Sequence, residues 1–284
     1  MPYVNVTDPG QEGLFVYSRI SDAQLRESDR ATHGLFVAES RKVIERALAA
    51  GVRPYSMFVE DRWLAQSEEL VAAMEAARPG LPVFRVTHAQ MQQITGFQIT
   101  RGPLAAFERP AQPSLQQVLS GAHRIAVLED ITNYTNIGTL FRSAAALGLD
   151  GVILTPRCHD PLYKRAARVS MGAVFKVPWH HLEQGEWTQA VLPELKRAGF
   201  SVAALDLAPG SLAIDAPELK RVERLALALG TEGAGLTPAA KGACDISVTI
   251  PMEHGVDSLN VAAAATLAFW ELRWRGQGDA RLPA

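Results

Sequence analysis

Three stretches of this chain combine residue types suited to gripping a phosphate, a hydroxyl or a closely held ligand. The first is Asn136-Ile-Gly-Thr-Leu-Phe-Arg142. Arg142 stands about one and two-thirds helical turns beyond Asn136, among the apolar neighbours Leu140, Phe141 and Ala144. A guanidinium in that company snorkels to solvent, pairs with a carboxylate or meets a phosphate. The second is Gly230-Thr-Glu-Gly-Ala-Gly-Leu236. Its glycines follow the order G-x-x-G-x-G, and the next strand begins too soon for the βαβ unit of a dinucleotide fingerprint. They supply backbone that turns tightly and approaches a ligand closely, with Glu232 among exposed N–H groups; an ordinary glycine-rich turn reads the same way. The third is Ser258-Leu-Asn260, directly before an alanine-rich helix. Asp257, Ser258 or Asn260 fits as a helix cap, with Val261, Ala264, Ala265, Ala268 and Leu272 as the buried face; a ligand site fits too.

A fourth stretch is basic, with Arg157, Lys164, Arg165 and Arg168; the last three share one side of a helix if the segment is helical. Such a patch contacts a nucleic-acid backbone or is simply a solvated face. Arg41, Lys42, Arg46 and Arg101 are weaker candidates in the first half. The formal net charge of −2 argues against a protein that coats nucleic acid or anionic membrane through its overall field. Cys158 and Cys244 are the only cysteines, and no CxxC or HxxxH spacing occurs, so neither a disulfide framework nor a metal site is expected. His180-His181 reads as structural. No apolar run approaches the roughly 18 residues of a membrane span, and the N-terminus lacks a leader pattern, so the expected location is cytoplasmic.

The elements that must position these residues follow from periodicity. The 284 residues, 48% of them hydrophobic, suffice for two ordinary domains. From residue 34, strand-like "GLFVAE", a helix "SRKVIERALAAG" with Ser40 at its start, and strand-like "YSMFVE" form a β-α-β signature. Thr87-x-x-Gln90 predicts a capping box. Residues 1–33 form an N-terminal extension, 34–107 a small α/β domain, and 108–122, with Pro110 and Pro113, a linker. In 123–284, near-continuous apolar strands ("RIAVLED", "GVILTP", "AVFKVPW", "FSVAALDL", "RLALALG", "ISVTIP") alternate with helices. That pattern predicts a parallel sheet covered on both faces. Ligands bind such sheets beyond the carboxyl ends of the strands. The loops after Asp130, Gly230 and Ile250 therefore point to one rim.

Taken together and in order, "NIGTLFRSA", "GTEGAGL", and "IPM" followed by "SLNV" resemble the three motifs of the SpoU or TrmH family of S-adenosylmethionine-dependent RNA 2′-O-methyltransferases. The resemblance covers about residues 122–275 and includes "ARVSMGAVF". It implies an α/β fold: a parallel-sheet domain with a deep C-terminal, trefoil-type knot, preceded by a smaller α/β substrate-binding domain similar to a ribosomal protein fold. It implies cofactor contacts at Gly230, Gly235, Ile250, Met252 and Leu259, and S-adenosylhomocysteine as product. It assigns Arg142 to the substrate oxygen. Because a guanidinium holds its proton, its expected role is to bind the adjacent phosphate and stabilise the developing alkoxide. Asn136, Glu232, Ser258 and Asn260 are expected to orient Arg142, the ribose and the cofactor. Lys164, Arg165, Arg168 and Arg41 are the expected RNA contacts. Structured rRNA or tRNA, a homodimer, no metal and no membrane complete the expectation. The alternative is a non-catalytic RNA-binding protein that retains the fold.

Overall fold

The computed structural model describes residues 3–18, 20–27, 34–96 and 102–274; Arg101 lies outside them. The first half carries β1 (Tyr3–Asn5), α1 (Asp22–Glu27), β2 (Leu35–Glu39), α2 (Arg41–Ala49), β3 (Pro54–Glu60), α3 (Leu64–Ala77), β4 (Val83–Val86), α4 (His88–Thr95) and β5 (Leu104–Glu108). The second half runs α5 (Leu115–Leu119), β6 (Arg124–Leu128), α6 (Tyr134–Leu147), β7 (Gly151–Leu154), α7 (Lys164–Val169), β8 (Trp179–His181), α8 (Trp187–Ala190) and α9 (Leu192–Arg197). It continues with β9 (Ser201–Leu205), β10 (Leu212–Ala213), α10 (Pro217–Lys220), β11 (Leu225–Leu229), α11 (Pro238–Ala243), β12 (Ile246–Thr249) and α12 (Val261–Glu271).

The chain divides into two compact units, 1–111 with 161–176, and 112–160 with 177–284. Residues 161–176, expected in the second domain, thus belong to the first unit, where α7 packs on β2. The extension 1–33 is also not separate: β1 adds a parallel strand beside β4. The five-stranded sheet of the first unit has the order β1-β4-β3-β5-β2, with β5 antiparallel to both neighbours. Its core gathers Tyr17, Leu35, Phe58, Phe84 and Met91, with Tyr17 stacked on Phe58 at 4.8 Å. Thr87 and Gln90 form the expected capping box. Ser40 does not cap α2 with its side chain and sits at φ 85°.

The second unit is built on a seven-stranded sheet of order β10-β12-β9-β11-β6-β7-β8, with every pairing parallel. Its central strands β6 and β11 are buried throughout, which is why they read as unbroken apolar runs rather than alternating ones. Two local expectations fail. "AVFKVPW" forms a 3₁₀ turn at Ala173–Phe175 before β8 begins at Trp179, since Pro178 cannot donate to a ladder. "TQAVLPELKRAG" is two short helices that meet at Val191, where Pro193 opens the second.

Candidate active site

The sheet order sets the site. β9 lies between β12 and β11, and β11 lies beside β6, so the segments after β6, β9, β11 and β12 leave neighbouring strands at the same end. After β6 the chain enters α6, whose first turn is fixed by Asn133: its Oδ1 accepts from Thr135 N–H at 2.8 Å and Asn136 N–H at 3.3 Å. Gly148, at φ 78°, ends the helix in the left-handed conformation that glycine adopts without strain. This places Asn136 inward, 6% exposed, and Arg142 on the exposed surface of the same helix.

Asn136 Nδ2 donates to Glu232 Oε1 at 2.9 Å. Asn260 Nδ2 donates to Asn136 Oδ1 at 3.1 Å and also to Glu232 Oε1. One residue from each motif therefore meets in a closed three-member network. Asn136 is buried while Asn260 and Glu232 are exposed, so the amide with most to lose from an unmet donor is Asn136, and its Nδ2 finds the carboxylate. Asn260 Oδ1 meanwhile accepts from Ala262 N–H at 3.0 Å and Ala263 N–H at 3.3 Å. Its two readings, cap and site residue, are both realised, by opposite ends of one amide.

Beside this network lies a cavity of about 510 Å³. Gly230, Gly235, Ile250, Met252 and Leu259, the expected cofactor residues, all line it, as do Glu232, Ser258 and Asn260. Gly230 is required by the loop itself: a Cβ there would stand 2.1 Å from the Gly235 carbonyl carbon. The loop folds back so that Gly235 N–H donates to Thr231 O at 3.0 Å. Gly235 has φ 68° with open space around a Cβ, so its glycine serves conformation rather than clearance. Arg142 does not line the cavity and has no hydrogen bond or ion pair among the described residues.

The basic candidates separate. Arg41 is committed to Glu45 at 2.6 Å and Glu69 at 2.7 Å, which push its pKa up. Arg168 pairs at 2.7 Å with the buried Glu39. Lys164 is also engaged. Arg165 is exposed on α7. Arg157 pairs with Asp130, which holds its proton more firmly still. His180 Nδ1 and His181 Nε2 lie 2.9 Å and 3.0 Å from the carbonyls of Pro113 and Thr155, as structural histidines do.

Sequence reasoning overlooked the segment after β9. Asp206 and Leu207 line the cavity, and Lys241 Nζ donates to Asp206 Oδ1 at 2.8 Å. The available signal was the acidic residue at the end of "SVAALD", on the same rim as the three motifs. Also overlooked was Glu129, buried at the end of β6, which accepts from Trp187 Nε1 at 2.9 Å and from Thr237 N–H at 2.8 Å. Among the described residues no group of three or more His, Cys, Asp or Glu could hold a metal ion, and no helix is long and apolar enough to cross a membrane.

Fold and site thus define an α/β protein whose second unit, an all-parallel sheet, carries a cavity at its carboxyl rim lined by segments distant in sequence. Residues 123–270 match the SpoU rRNA Methylase family. An uncharacterized tRNA/rRNA methyltransferase of Mycobacterium bovis is 38% identical over 270 residues, covering 94% of this chain and 90% of that protein. An RNA 2′-O ribose methyltransferase of known structure is 25% identical, with TM-score 0.73 over 95% of this chain and 98% of that one. The AdoMet-bound rRNA methyltransferase from Sinorhizobium meliloti has the same fold, with TM-score 0.77, 24% identity and coverage of 95% and 97%. The chain belongs to the SpoU rRNA methylase family.

Proposed function

We propose that this protein transfers the methyl group of S-adenosylmethionine to a ribose 2′-hydroxyl of a structured rRNA or tRNA in the cytoplasm. The observation that carries the reading is the meeting of Asn136, Glu232 and Asn260 at the edge of the cavity. Family membership supports RNA methylation as the reaction class, and the similarity to an RNA 2′-O ribose methyltransferase supports the ribose oxygen as acceptor. The cofactor reading has support from the AdoMet-bound relative and from the fit of the site. A volume of about 510 Å³ lies within the usual range for small-molecule sites. Leu205, Leu229, Ile250, Met252 and Leu259 offer apolar surface to an adenine ring, and the Gly230 backbone offers close polar groups.

When bound, the cofactor supplies an electrophilic methyl carbon on a sulfonium. The chain's own task is alignment and charge. Glu232, fixed by two amides, puts negative charge beside the cavity, which favours a cationic donor. Arg142, exposed and without a partner among the described residues, is available to bind the phosphate next to the target ribose and to stabilise the oxygen as it loses its proton. Ser258 lines the cavity as a further hydroxyl for orienting the reacting groups. The first unit serves as the RNA-binding domain, similar to a ribosomal protein fold. Arg165 is its available contact on α7, whereas Arg41, Lys164 and Arg168 would have to exchange their present partners for phosphate.

The same reading has the C-terminal segment threading through a loop in a trefoil-type knot, a topology that general rules disfavour. It is supported by the packing of α12 on α6, joined by the Ser143–Thr266 hydroxyl pair at 2.7 Å. A second copy then covers the outer stripe of α12, Ala263, Leu267 and Trp270, where Leu267 and Trp270 are 47% and 46% exposed; sedimentation tests this homodimer.

The deciding experiment incubates the protein with isotopically labelled methyl donor and total RNA from cells lacking the gene, then maps methyl groups by mass spectrometry. The expected result is label on a ribose 2′-oxygen. Arg142→Ala should lower turnover by roughly 100-fold or more, while donor affinity stays within about twofold, because Arg142 lies off the cavity wall. Label on a base would overturn the ribose assignment. Donor binding without transfer would favour the non-catalytic RNA-binding alternative.

A further inference from the structure

Asp206 follows the last residue of β9, the strand seated between β12 and β11, whose loops carry the two cavity-lining motifs. It therefore leaves the sheet between the two strands whose loops line the cavity, and it lines the cavity itself. Its side chain is 14% exposed, and Lys241 on α11 donates to Oδ1 at 2.8 Å. Oδ2 has no partner among the described residues. Both residues line the cavity.

The chemistry of this pair narrows what it can recognise. Because carboxylate and ammonium neutralise each other, the pair selects neither a cation nor an anion. It offers an acceptor oxygen on Asp206 and, beside it, the remaining N–H groups of an ammonium that has three. Adjacent hydroxyls on one sugar ring are the complement, since each donates one hydrogen bond and accepts another. A carboxylate at the carboxyl end of a parallel strand is also a suitable acceptor for a ribose diol on general grounds. Leu205 and Leu207 flank Asp206 on the cavity wall and give apolar surface on either side of the polar point.

We propose that Asp206, held in place by Lys241, binds the ribose 2′- and 3′-hydroxyls of the cofactor. This rests on the S-adenosylmethionine reading given above. Asp206 is then a binding residue, and Lys241 a positioning residue that keeps the carboxylate oriented toward the cavity. The assignment adds a fourth segment, the one after β9, to the three motif segments.

The test uses the full chain, S-adenosylhomocysteine, and its 2′-deoxy and 3′-deoxy analogues, with affinities measured by calorimetry. Wild type should bind each deoxy analogue about tenfold or more weakly than the parent, the effect of losing a hydrogen bond to a charged acceptor. Asp206→Ala should bind the parent about tenfold more weakly and discriminate among the three by less than about twofold. Lys241→Met should leave an intermediate ratio, because the carboxylate remains but is no longer positioned. Circular dichroism of both variants establishes that they are folded, and Asp206→Asn, which preserves shape and removes charge, should behave as Asp206→Ala if folding of the latter fails. Retention of wild-type discrimination by the folded Asp206 variant overturns the assignment while leaving the cofactor reading intact. Failure of wild type to bind S-adenosylhomocysteine overturns the cofactor reading and this assignment with it.

Discussion

Asn260 and Glu232, 28 positions apart, are joined by the Asn260 side-chain amide, whose oxygen at the same time caps α12 through Ala262 and Ala263. The start of the last helix and the conformation of the glycine-rich loop are thereby coupled. Motion of either one disturbs the carboxylate that faces the cavity.

Substitution at this position separates the two roles. Asn260→Asp keeps an acceptor for the helix N–H groups but loses the donor and sets a like charge beside Glu232. Methyl transfer should fall by more than tenfold, with a stability loss of about 1 kcal/mol or less, because the cap survives. Asn260→Ala loses cap and donor together and should cost about 1–2 kcal/mol in addition to activity. Urea denaturation beside a turnover assay distinguishes these outcomes.

Gly230→Ala and Gly233→Ala should part company. At Gly230 a Cβ would press on backbone at 2.1 Å, so the loop must open, with a cost of about 1–3 kcal/mol and loss of donor binding. At Gly233 the φ is 85° with nothing within 4 Å, so the cost is the left-handed penalty of about 1–2 kcal/mol and the cavity wall is kept. Calorimetric titration with S-adenosylhomocysteine reads the difference.

Arg124 fastens the end of α12. Its guanidinium donates to the carbonyls of Leu272 at 2.5 Å, Glu223 at 2.7 Å, and His123 and Val222 at 2.9 Å, and lies 5.2 Å from the Trp274 ring. Arg124→Met would leave these acceptors without their donor in a buried setting and should cost about 3 kcal/mol or more. Limited proteolysis should then cut near residue 272, where wild type resists.

Both thiols should be inert in the native protein. Burial pushes the Cys158 pKa up, and pushes Cys244 up to about 12. At pH 8 iodoacetamide should modify neither until the chain is unfolded, as mass spectrometry would show. The native state keeps the Cys244 proton that an unfolded thiol releases from about pH 8.5. Stability should therefore decline as pH rises from that point toward 12, and Cys244→Ala should flatten the decline.

Much of the architecture was written locally. Unbroken apolar runs at β6 and β11 predict central parallel strands, because residues buried on both faces have no polar alternation. The Thr87–Gln90 box and the glycine ends of α4 and α6 are likewise local chemistry. The motif residues, too, could be assigned to strand ends on one rim. What the sequence could not express is which side chains meet across long separations. Arg41 and Arg168 read as free cations until the fold set Glu69 and Glu39 against them. Residues 161–176 read as part of the second domain until α7 packed on β2. Asp206 had no motif to mark it, and became part of the site because strand order placed β9 between β12 and β11. Periodicity reports one element's own burial, whereas pairing between elements is fixed by the sheet order and the packing of the whole chain, and there the tertiary structure decided.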